Sequence, residues 1–262
     1  MKKLITLSLA LAFVFPLFAQ DSTKAITPVS PAPEPAPAAA KTTKKNEWLK
    51  ALSQRHGNDH FMLQLGYNGW SSIPDTVNTK GIPRSFNAYF MFDFPFKTSP
   101  QFSVGIGLGL GTDNFYLNRT SVDIAGLSHN TLSFSADTAS NYFKKYKVAT
   151  TYLEIPVELR FTADPSKPNK SWKGAIGGKV GTMLSAMTKG KTLLSANGGT
   201  INNYTEKIKS KRFFNSTRLV VDARISKGIF GIYGQYQINN FVKDGAGPDI
   251  RPFQIGLTIS GL

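Results

Sequence analysis

The chain of 262 residues contains no cysteine. This absence excludes disulfide bonds, thiolate metal sites and a lipid-modified N-terminal cysteine, and it leaves the redox compartment undetermined. Histidine is scarce as well, with only His56, His60 and His129. None of the three stands at a metal-ligand spacing from another histidine or from a pair of carboxylates. The sequence therefore predicts no metal site and no other cofactor.

Long apolar runs are missing beyond the N-terminus. The segment Met1–Ala19 places Lys2 and Lys3 before the apolar stretch Leu4–Phe15, and Ala19 is a small residue suited to cleavage. This pattern is typical of a secretory signal peptide. The apolar stretch is too short for a spanning helix, and no later segment supplies one. We therefore predict a chain that is exported and has no transmembrane helix.

The next segments indicate a spacer ahead of one domain. Residues 20–45 are rich in proline and alanine, which predicts an extended, disordered linker. This linker is either a plain spacer or a tether to a periplasmic or envelope partner. Residues 46–59 lead into this domain, and a short helix is predicted for Asn46–Arg55. Residues 60–262 are predicted to form a single domain.

The most informative stretch runs from Phe86 to Gly111. Its two halves alternate apolar and other residues with period two, and the break Lys97–Pro100 between them predicts a hairpin. Each predicted strand has about ten residues, the length that a tilted strand needs to cross a bilayer core. The apolar face carries Phe86, Ala88, Phe90, Phe92 and Phe94, followed by Phe102, Val104, Ile106, Leu108 and Leu110.

Glycines decide which face points inward. Gly105, Gly107, Gly109 and Gly111 share the other face of the second strand. On an outer wall they would only weaken the strand. Inside a narrow barrel they leave room for large neighbours such as Tyr89. The phenylalanine-rich face would overfill a small soluble interior, so we predict that it faces lipid.

Eight segments of this kind predict an all-β fold, an eight-stranded antiparallel transmembrane β-barrel. The connections after the second, fourth and sixth strands are short, and the others are longer. Short turns are typical of the periplasmic end of outer-membrane barrels. The sequence thus predicts an outer-membrane location with both termini periplasmic. The predicted strands are Phe61–Trp70, the two strands just described, Thr151–Thr162, Trp172–Ala186, Thr217–Ser226, Ile229–Ile238 and Pro252–Ser260.

Aromatic residues near the predicted strand ends are candidates for the girdles that mark the membrane interfaces. They are Trp70, Tyr116, Tyr152, Trp172, Phe214 and Phe241.

Charged residues fall on the predicted inner face. An eight-stranded barrel is just wide enough for side chains to fill it, and buried charges must be paired. We interpret these residues as salt bridges that plug the barrel. The alternatives are a narrow ion path or a carboxylate pair that acts as acid and base. The candidate network comprises Asp93, Glu154, Glu158, Arg160, Lys173, Lys179, Arg218, Asp222 and Arg224.

The formal net charge is +15, and much of it falls on two predicted outer loops. Basic side chains gain energy beside anionic lipid headgroups, including those of lipopolysaccharide, which we predict as partners. The alternative is a merely solvated surface, and nucleic acid is not expected as a partner of an exported barrel. The residues are Lys144, Lys145 and Lys147 in the second outer loop, and Lys189, Lys191, Lys207, Lys209, Lys211 and Arg212 in the third.

The segment Tyr152-Leu-Glu-Ile-Pro-Val-Glu-Leu-Arg-Phe161 resembles a strand motif of the PorT-like outer-membrane β-barrel proteins of Bacteroidota-type envelopes. The glycine-rich third strand and the Tyr233–Tyr236 segment are similar to that family too. The resemblance implies an outer-membrane barrel and no particular reaction.

Three functions remain open. The first is a non-enzymatic envelope protein with a structural or interaction role, which the sequence favours. The second is a small pore or an accessory to transport or secretion. The third is a lipid-modifying barrel enzyme, for which His129 lies near Ser128 and Ser133 in sequence. We predict that the protein is not an enzyme.

Overall fold

A computed structural model of the protein describes residues 60–72, 77, 79, 81–136 and 141–261. The predicted signal peptide, linker and lead-in helix lie outside the described residues, as do His56 and Leu262. The chain divides between Thr43 and Lys44, and every described residue belongs to the second unit. Within the described part, no helix has the length and apolar character needed to cross a membrane.

The described residues form eleven strands. They are β1 (Phe61–Ser71), β2 (Arg84–Pro95), β3 (Phe102–Leu117), β4 (Thr120–Val122), β5 (Phe134–Ala136), β6 (Tyr142–Thr162), β7 (Trp172–Leu194), β8 (Thr200–Lys209), β9 (Thr217–Lys227), β10 (Phe230–Gln237) and β11 (Arg251–Ser260).

Eight of these strands close into an antiparallel ring. Going round it, the order is β1, β2, β3, β6, β7, β9, β10 and β11, and β11 pairs with β1 again. All eight correspond to strands predicted from the sequence, so the predicted barrel is confirmed. Closure leaves the ring itself without a free edge, and every backbone group of the wall can therefore be paired within the sheet.

The predicted faces are confirmed as well. Phe90, Ile106 and Ile176 are exposed on the outer wall, whereas Tyr89 and Met91 are buried inside. These outward side chains give the wall an apolar band of the kind that contacts lipid.

The inward positions of β3 are occupied by glycine for the reason that was predicted, namely to leave room for large neighbouring side chains. A Cβ added to Gly109 would lie 2.5 Å from Cδ1 of Tyr89, and one added to Gly111 would lie 2.8 Å from the Glu154 carboxylate. Side chains from neighbouring strands therefore occupy the space that a larger residue on β3 would need.

The two ends of the barrel differ in their connections. Residues 96–101, 163–171 and 228–229 join strands at one end, here called the short-turn end. At this end Gly228 has a φ of 64°, a left-handed conformation that suits glycine in a tight turn. The opposite end, called the loop end, carries the longer connections.

At the loop end the structure contains more strand than predicted. β3, β6 and β7 continue beyond their predicted ends, and β8 was not predicted at all. β8 pairs with the far part of β7, which pairs with the far part of β6. We call the assembly of residues 112–117, 142–151, 185–194 and β8 the outer sheet. The prediction that residues 112–150 and 187–216 are loops was therefore wrong over most of their length.

Candidate functional site

Glu158 is the centre of an ion cluster near the short-turn end. Its Oε2 accepts hydrogen bonds from Arg160 Nε at 3.0 Å and from Arg224 Nη2 at 3.0 Å. Arg160 Nη1 also lies 3.6 Å from Asp93 Oδ1. Glu158 and both arginines are buried, because all three project inward from the wall. Four of the predicted network residues thus meet at this level of the barrel.

A second ion cluster lies deeper, around Arg218. Its Nη1 donates to Glu154 Oε1 at 3.0 Å and lies 3.1 Å from Asp113 Oδ2. The Tyr89 hydroxyl donates to the other carboxylate oxygen of Glu154 at 2.6 Å. The guanidinium also stacks over the Tyr152 ring, 4.9 Å from its centroid. One buried arginine is therefore balanced by two carboxylates and an aromatic face.

Neutral amides connect this cluster to the opposite wall. Asp113 Oδ1 accepts hydrogen bonds from Asn68 Nδ2 at 3.2 Å and from Gln254 Nε2. The Gln254 amide oxygen in turn accepts from Asn87 Nδ2 at 2.9 Å and from the Tyr233 hydroxyl at 3.1 Å. The polar network thus crosses the whole interior.

Lys179 is held mainly by neutral oxygens. Its Nζ donates to Gln235 Oε1 at 2.7 Å, to Gln64 Oε1 at 3.2 Å and to the Tyr89 hydroxyl at 3.3 Å. The ammonium also lies 4.6 Å from the centroid of the Tyr89 ring. This predicted network residue therefore lies inside the barrel, bound chiefly by amides and a phenol.

The two remaining predicted members, Lys173 and Asp222, are also buried on the inner face. Asp222 Oδ1 has no hydrogen-bond partner among the described residues. Of the nine predicted charged residues, four thus meet around Glu158 and two around Arg218, and Lys179 is linked to the second cluster through the Tyr89 hydroxyl.

An apolar cluster fills the loop end of the barrel, and we call it the apolar cap. The ring of Trp70 lies 4.4 Å from that of Phe115 and 6.1 Å from that of Phe241, centroid to centroid. Phe214 packs 5.0 Å from Phe241. Its members are Trp70, Val77, Phe115, Leu117, Val122, Ile124, Leu132, Val148, Tyr152, Met183, Ala186, Phe213, Phe214, Phe241, Val242 and Ile250.

Backbone hydrogen bonds tie the loop-end connections together over the cap. Leu132 N donates to Ala246 O at 2.6 Å, and Phe241 N donates to Ile250 O at 2.8 Å. Asn215 N donates to Phe241 O at 2.9 Å. These connections therefore lie across the end of the barrel and help to cover it.

The predicted aromatic girdle was wrong for four of its six residues. Trp70, Tyr152, Phe214 and Phe241 point inward and belong to the apolar cap. Trp172 is 58 % exposed on the outer wall, as a girdle residue should be. These errors share a cause, because proximity to a strand end does not determine on which side of the wall a ring lies.

The nine predicted basic loop residues all lie at the loop end, although most of them are on strands. Lys144, Lys145 and Lys147 are on β6, Lys189 and Lys191 are on β7, and Lys207 and Lys209 are on β8. Only Lys211 and Arg212 lie in a connection, the one between β8 and β9. The Arg212 guanidinium donates to Gly126 O at 2.7 Å and so links two connections.

Strand pairing brings six of these lysines to one face of the outer sheet. Lys147 pairs with Lys189, which pairs with Lys207. Lys145 pairs with Lys191. Because alternate residues of a strand share a face, all of these side chains and that of Lys209 project on the same side. We call Lys145, Lys147, Lys189, Lys191, Lys207 and Lys209 the lysine face.

His129 contacts a serine and a carboxylate. Ser128 Oγ lies 3.3 Å from His129 Nδ1, and Asp123 Oδ2 lies 3.6 Å from His129 Nε2. The backbone N–H of Ala125, with that of Gly126 and the nearby imidazole, holds the pKa of Asp123 below its usual value.

The other candidate residues of this kind stay apart. His60 Nδ1 lies 3.2 Å from Met91 O at the short-turn end, far along the barrel from His129. Ser133 lies in the connection between β4 and β5. Among the described residues, no three His, Asp or Glu side chains gather where they could hold a metal ion.

Sequence reasoning missed Asp113 and Gln254 as members of the interior network. Asp113 was assigned to a loop because the apolar alternation of β3 ends at Gly111. The signal that could have found it is phase, since Asp113 continues the inward positions of the glycines.

Comparison with known proteins identifies the domain. A family model described as outer membrane protein beta-barrel domain matches residues 60–261. Among solved structures, the chain is similar to Ail, the attachment invasion locus protein of Yersinia pestis, in complex with the heparin analogue sucrose octasulfate. That match has 13 % identity and a TM-score of 0.28, and it covers 76 % of this chain and 96 % of the other. No curated protein matches the chain.

Proposed function

The chain belongs to the outer membrane protein beta-barrel domain family, and from this we propose that it is a closed, non-enzymatic barrel that presents its outer sheet at the cell surface. Its role in this proposal is structural or interactive within the envelope. The resemblance to PorT-like barrels is part of the proposal and concerns the fold, not a role in secretion.

The filled interior carries this proposal. The Glu158 cluster lies near the short-turn end, the Arg218 cluster lies deeper, and the apolar cap fills the loop end. An eight-stranded barrel is only just wide enough for side chains. Three successive layers of buried side chains support a barrel without an aqueous path.

The proposed orientation places the short-turn end in the periplasm, as is usual for outer-membrane barrels. Both termini then lie on the periplasmic side, and the outer sheet lies outside. The segment Met1–Ala19 is the proposed signal peptide, and residues 20–45 are the proposed linker to a periplasmic or envelope partner. Residues 46–59 are a lead-in to the barrel.

The proposed partners outside are anionic lipid headgroups. The nine basic residues at the loop end lie on the side of the barrel that faces the outer leaflet in this orientation. Basic side chains near an anionic surface are attracted to it. We propose no nucleic-acid partner.

Conductance tests the proposal against a pore. We expect the purified barrel to show heat-modifiable migration and to give no stable open-channel current in planar bilayers, because charged and apolar layers both block the interior. A variant that lacks β8, which pairs with β7 outside the ring, would be the control, since it should also remain non-conducting. Stable unitary currents from the wild-type protein would contradict a closed barrel.

The enzyme alternative has one observation in its favour, the Ser128–His129–Asp123 arrangement. In serine hydrolases the hydroxyl meets Nε2 and the carboxylate meets Nδ1, and here the two positions are exchanged. The His129 side chain is 33 % exposed and that of Asp123 is 51 % exposed, so the pair lies outside a water-excluded site. Ester hydrolysis by the wild type that disappears in Ser128→Ala would favour this alternative.

A further inference from the structure

We propose that the lysine face is a binding site for the phosphate groups of an anionic outer-leaflet lipid. The site deepens the proposed function and rests on it for the orientation, which places the outer sheet on the outer side of the membrane.

Strand register gives the lysine face a regular spacing. Lys147, Lys189 and Lys207 lie opposite one another on three adjacent strands. Neighbouring strands are about 4.8 Å apart, and residues two apart on a strand are separated by about 6.6 Å. Lys145 and Lys191 form the next row. The face is therefore a compact grid of ammonium groups within reach of one small anion or of two close together.

The charges of this grid are not balanced within the described part of the chain. No salt bridge joins any of its six lysines to a carboxylate among the described residues. Like charges directly opposite each other destabilise a sheet. Partial burial, with the adjacent Lys189 ammonium, lowers the pKa of Lys147, which lies beyond the apolar band. A bound anion would relieve this repulsion.

The sheet also supplies a neutral acceptor, an aromatic ring and a recess beside the lysines. Lys147 Nζ donates to Asn114 Oδ1 at 2.6 Å and lies 5.8 Å from the centroid of the Tyr116 ring. A groove of about 190 Å³ lies here. It is lined by Tyr116, Lys145, Tyr146, Lys147, Lys189 and Lys191. A phosphate group, with up to two negative charges and several acceptor oxygens, suits such a cluster of donors.

Continuity with the lipid-facing wall indicates a membrane lipid as the source of the phosphate. Every second residue of a strand lies on the same face, and on β6 one face therefore carries Leu153, Thr151, Ala149 and Lys147. Leu153 belongs to the apolar band, and Lys147 lies six residues before it in the chain, about 20 Å along the strand. At the usual strand tilt, this distance corresponds to roughly 15 Å along the membrane normal. Lysine stems can bend back along an apolar wall to headgroups, so the face meets the polar layer of the leaflet from the side.

Lipid enrichment in nanodiscs tests the site. The full chain is reconstituted in phosphatidylcholine nanodiscs that contain a minor fraction of bisphosphorylated lipid A, and bound lipid is counted by native mass spectrometry. We expect the wild type to retain lipid A and the Lys147→Gln/Lys189→Gln variant to lose roughly thirty-fold in apparent affinity. This follows from about a five-fold gain for each lysine near an anionic surface.

The matched control removes the same charge elsewhere. Lys167 and Lys170 both lie in the turn between β6 and β7 at the short-turn end, so Lys167→Gln/Lys170→Gln should retain wild-type binding. Unchanged heat-modifiable migration shows that each variant is folded. Equal loss in both double variants would mean that only net charge matters, which would overturn the site.

Two further outcomes separate the source of the phosphate from the proposed function. Equal retention of lipid A and its dephosphorylated form by the wild type would overturn phosphate recognition. Binding of inorganic pyrophosphate or a soluble sulfated polysaccharide in detergent, without lipid A enrichment in nanodiscs, would assign the face to a soluble polyanion and overturn the lipid. Neither result bears on conductance, which tests the closed barrel separately.

Discussion

The barrel interior is filled by charged and amide side chains towards the short-turn end and by apolar side chains at the loop end. Around Glu158 and Arg218, guanidinium groups are matched to carboxylates. Around Trp70 and Phe241, aromatic rings pack against one another as in the core of a soluble protein. Both fillings bury their side chains, but the first is held by directed pairs and the second by packing.

The change between the two fillings coincides with a reversal of polarity across the wall. In the lower part of β3, Leu108 and Leu110 point outward, whereas further along Phe115 and Leu117 point inward. Lipid surrounds the lower part and makes an apolar exterior favourable. Beyond the membrane the exterior faces water, so burying the apolar side chains becomes favourable instead. Position relative to the bilayer therefore decides which face is apolar.

The stability of the barrel should be more sensitive to truncation of one side chain in the charged filling than to truncation of one in the apolar filling. Glu158→Ala removes the acceptor shared by Arg160 and Arg224 and leaves two buried guanidinium groups under-compensated. Breaking a buried ion pair in this way costs about 3–5 kcal/mol. We expect a lower unfolding midpoint, measured by urea titration with heat-modifiable migration as the readout.

Two controls make that result specific. Glu158→Gln keeps the shape and one acceptor oxygen and should fall between the wild type and the alanine variant. Lys144→Ala, at an exposed position of the outer sheet, should change the free energy of unfolding by no more than about 0.5 kcal/mol. An unchanged midpoint for Glu158→Ala would show that the cluster does not stabilise the barrel.

Truncation of a side chain in the apolar cap should have a more local effect, confined to the loop end of the barrel. Trp70→Ala removes a ring that packs against Phe115 and Phe241. Large aromatic truncations cost about 3–5 kcal/mol, and we expect the lower end of that range because Trp70 lies near the mouth. Hydrogen exchange should rise in the loop-end connections, while bilayer recordings should stay silent because the charged layers remain.

A tryptophan on the other side of the wall provides the comparison. Trp172 is exposed at the short-turn end, so Trp172→Ala should leave exchange at the loop end unchanged. If Trp70→Ala accelerated exchange evenly through all eight ring strands, the cap and the barrel would be one cooperative unit and the distinction between the two fillings would fail.

Sequence patterns could predict the membrane part of the fold because lipid imposes one rule on every strand there. Phe90, Ile106 and Ile225 follow that rule, and the inward positions of Glu154 and Arg224 follow from it. The pairing of charged side chains inside the barrel was harder to predict from the sequence. Which carboxylate meets Arg218 depends on shear between non-neighbouring strands, and alternation along one strand does not contain that information.

The outer sheet was missed for a different reason. Beyond Gly111 the apolar residues change faces, and β7 has a bulge opposite Thr151 and Tyr152 that shifts its phase. Apolar alternation read with a fixed phase therefore ends there, and the rest was assigned to loops. β8, with polar residues such as Asn202 and Asn203 on an exposed strand, has no strong period-two signal. Its place in the sheet, and hence the lysine face, comes from pairing alone.

The smallest expected difference lies within the charged filling and concerns how tightly it is packed. Gly105 and Gly109 share the inward face of β3. A Cβ on Gly109 would collide with the Ala88 carbonyl oxygen and lie 2.5 Å from Tyr89 Cδ1, whereas the three atoms nearest to one on Gly105 all belong to the end of the Arg160 side chain. A backbone carbonyl cannot give way, whereas the long Arg160 side chain can shift by rotating about its χ angles, although its Nε is hydrogen-bonded to Glu158. Overpacking costs about 1–3 kcal/mol, which we expect for Gly109→Ala. For Gly105→Ala we expect less than about 1 kcal/mol, since a more restricted unfolded chain offsets part of the clash. Urea midpoints of the two variants measure the difference, and equal midpoints would mean that the interior is packed to the same tightness at both levels.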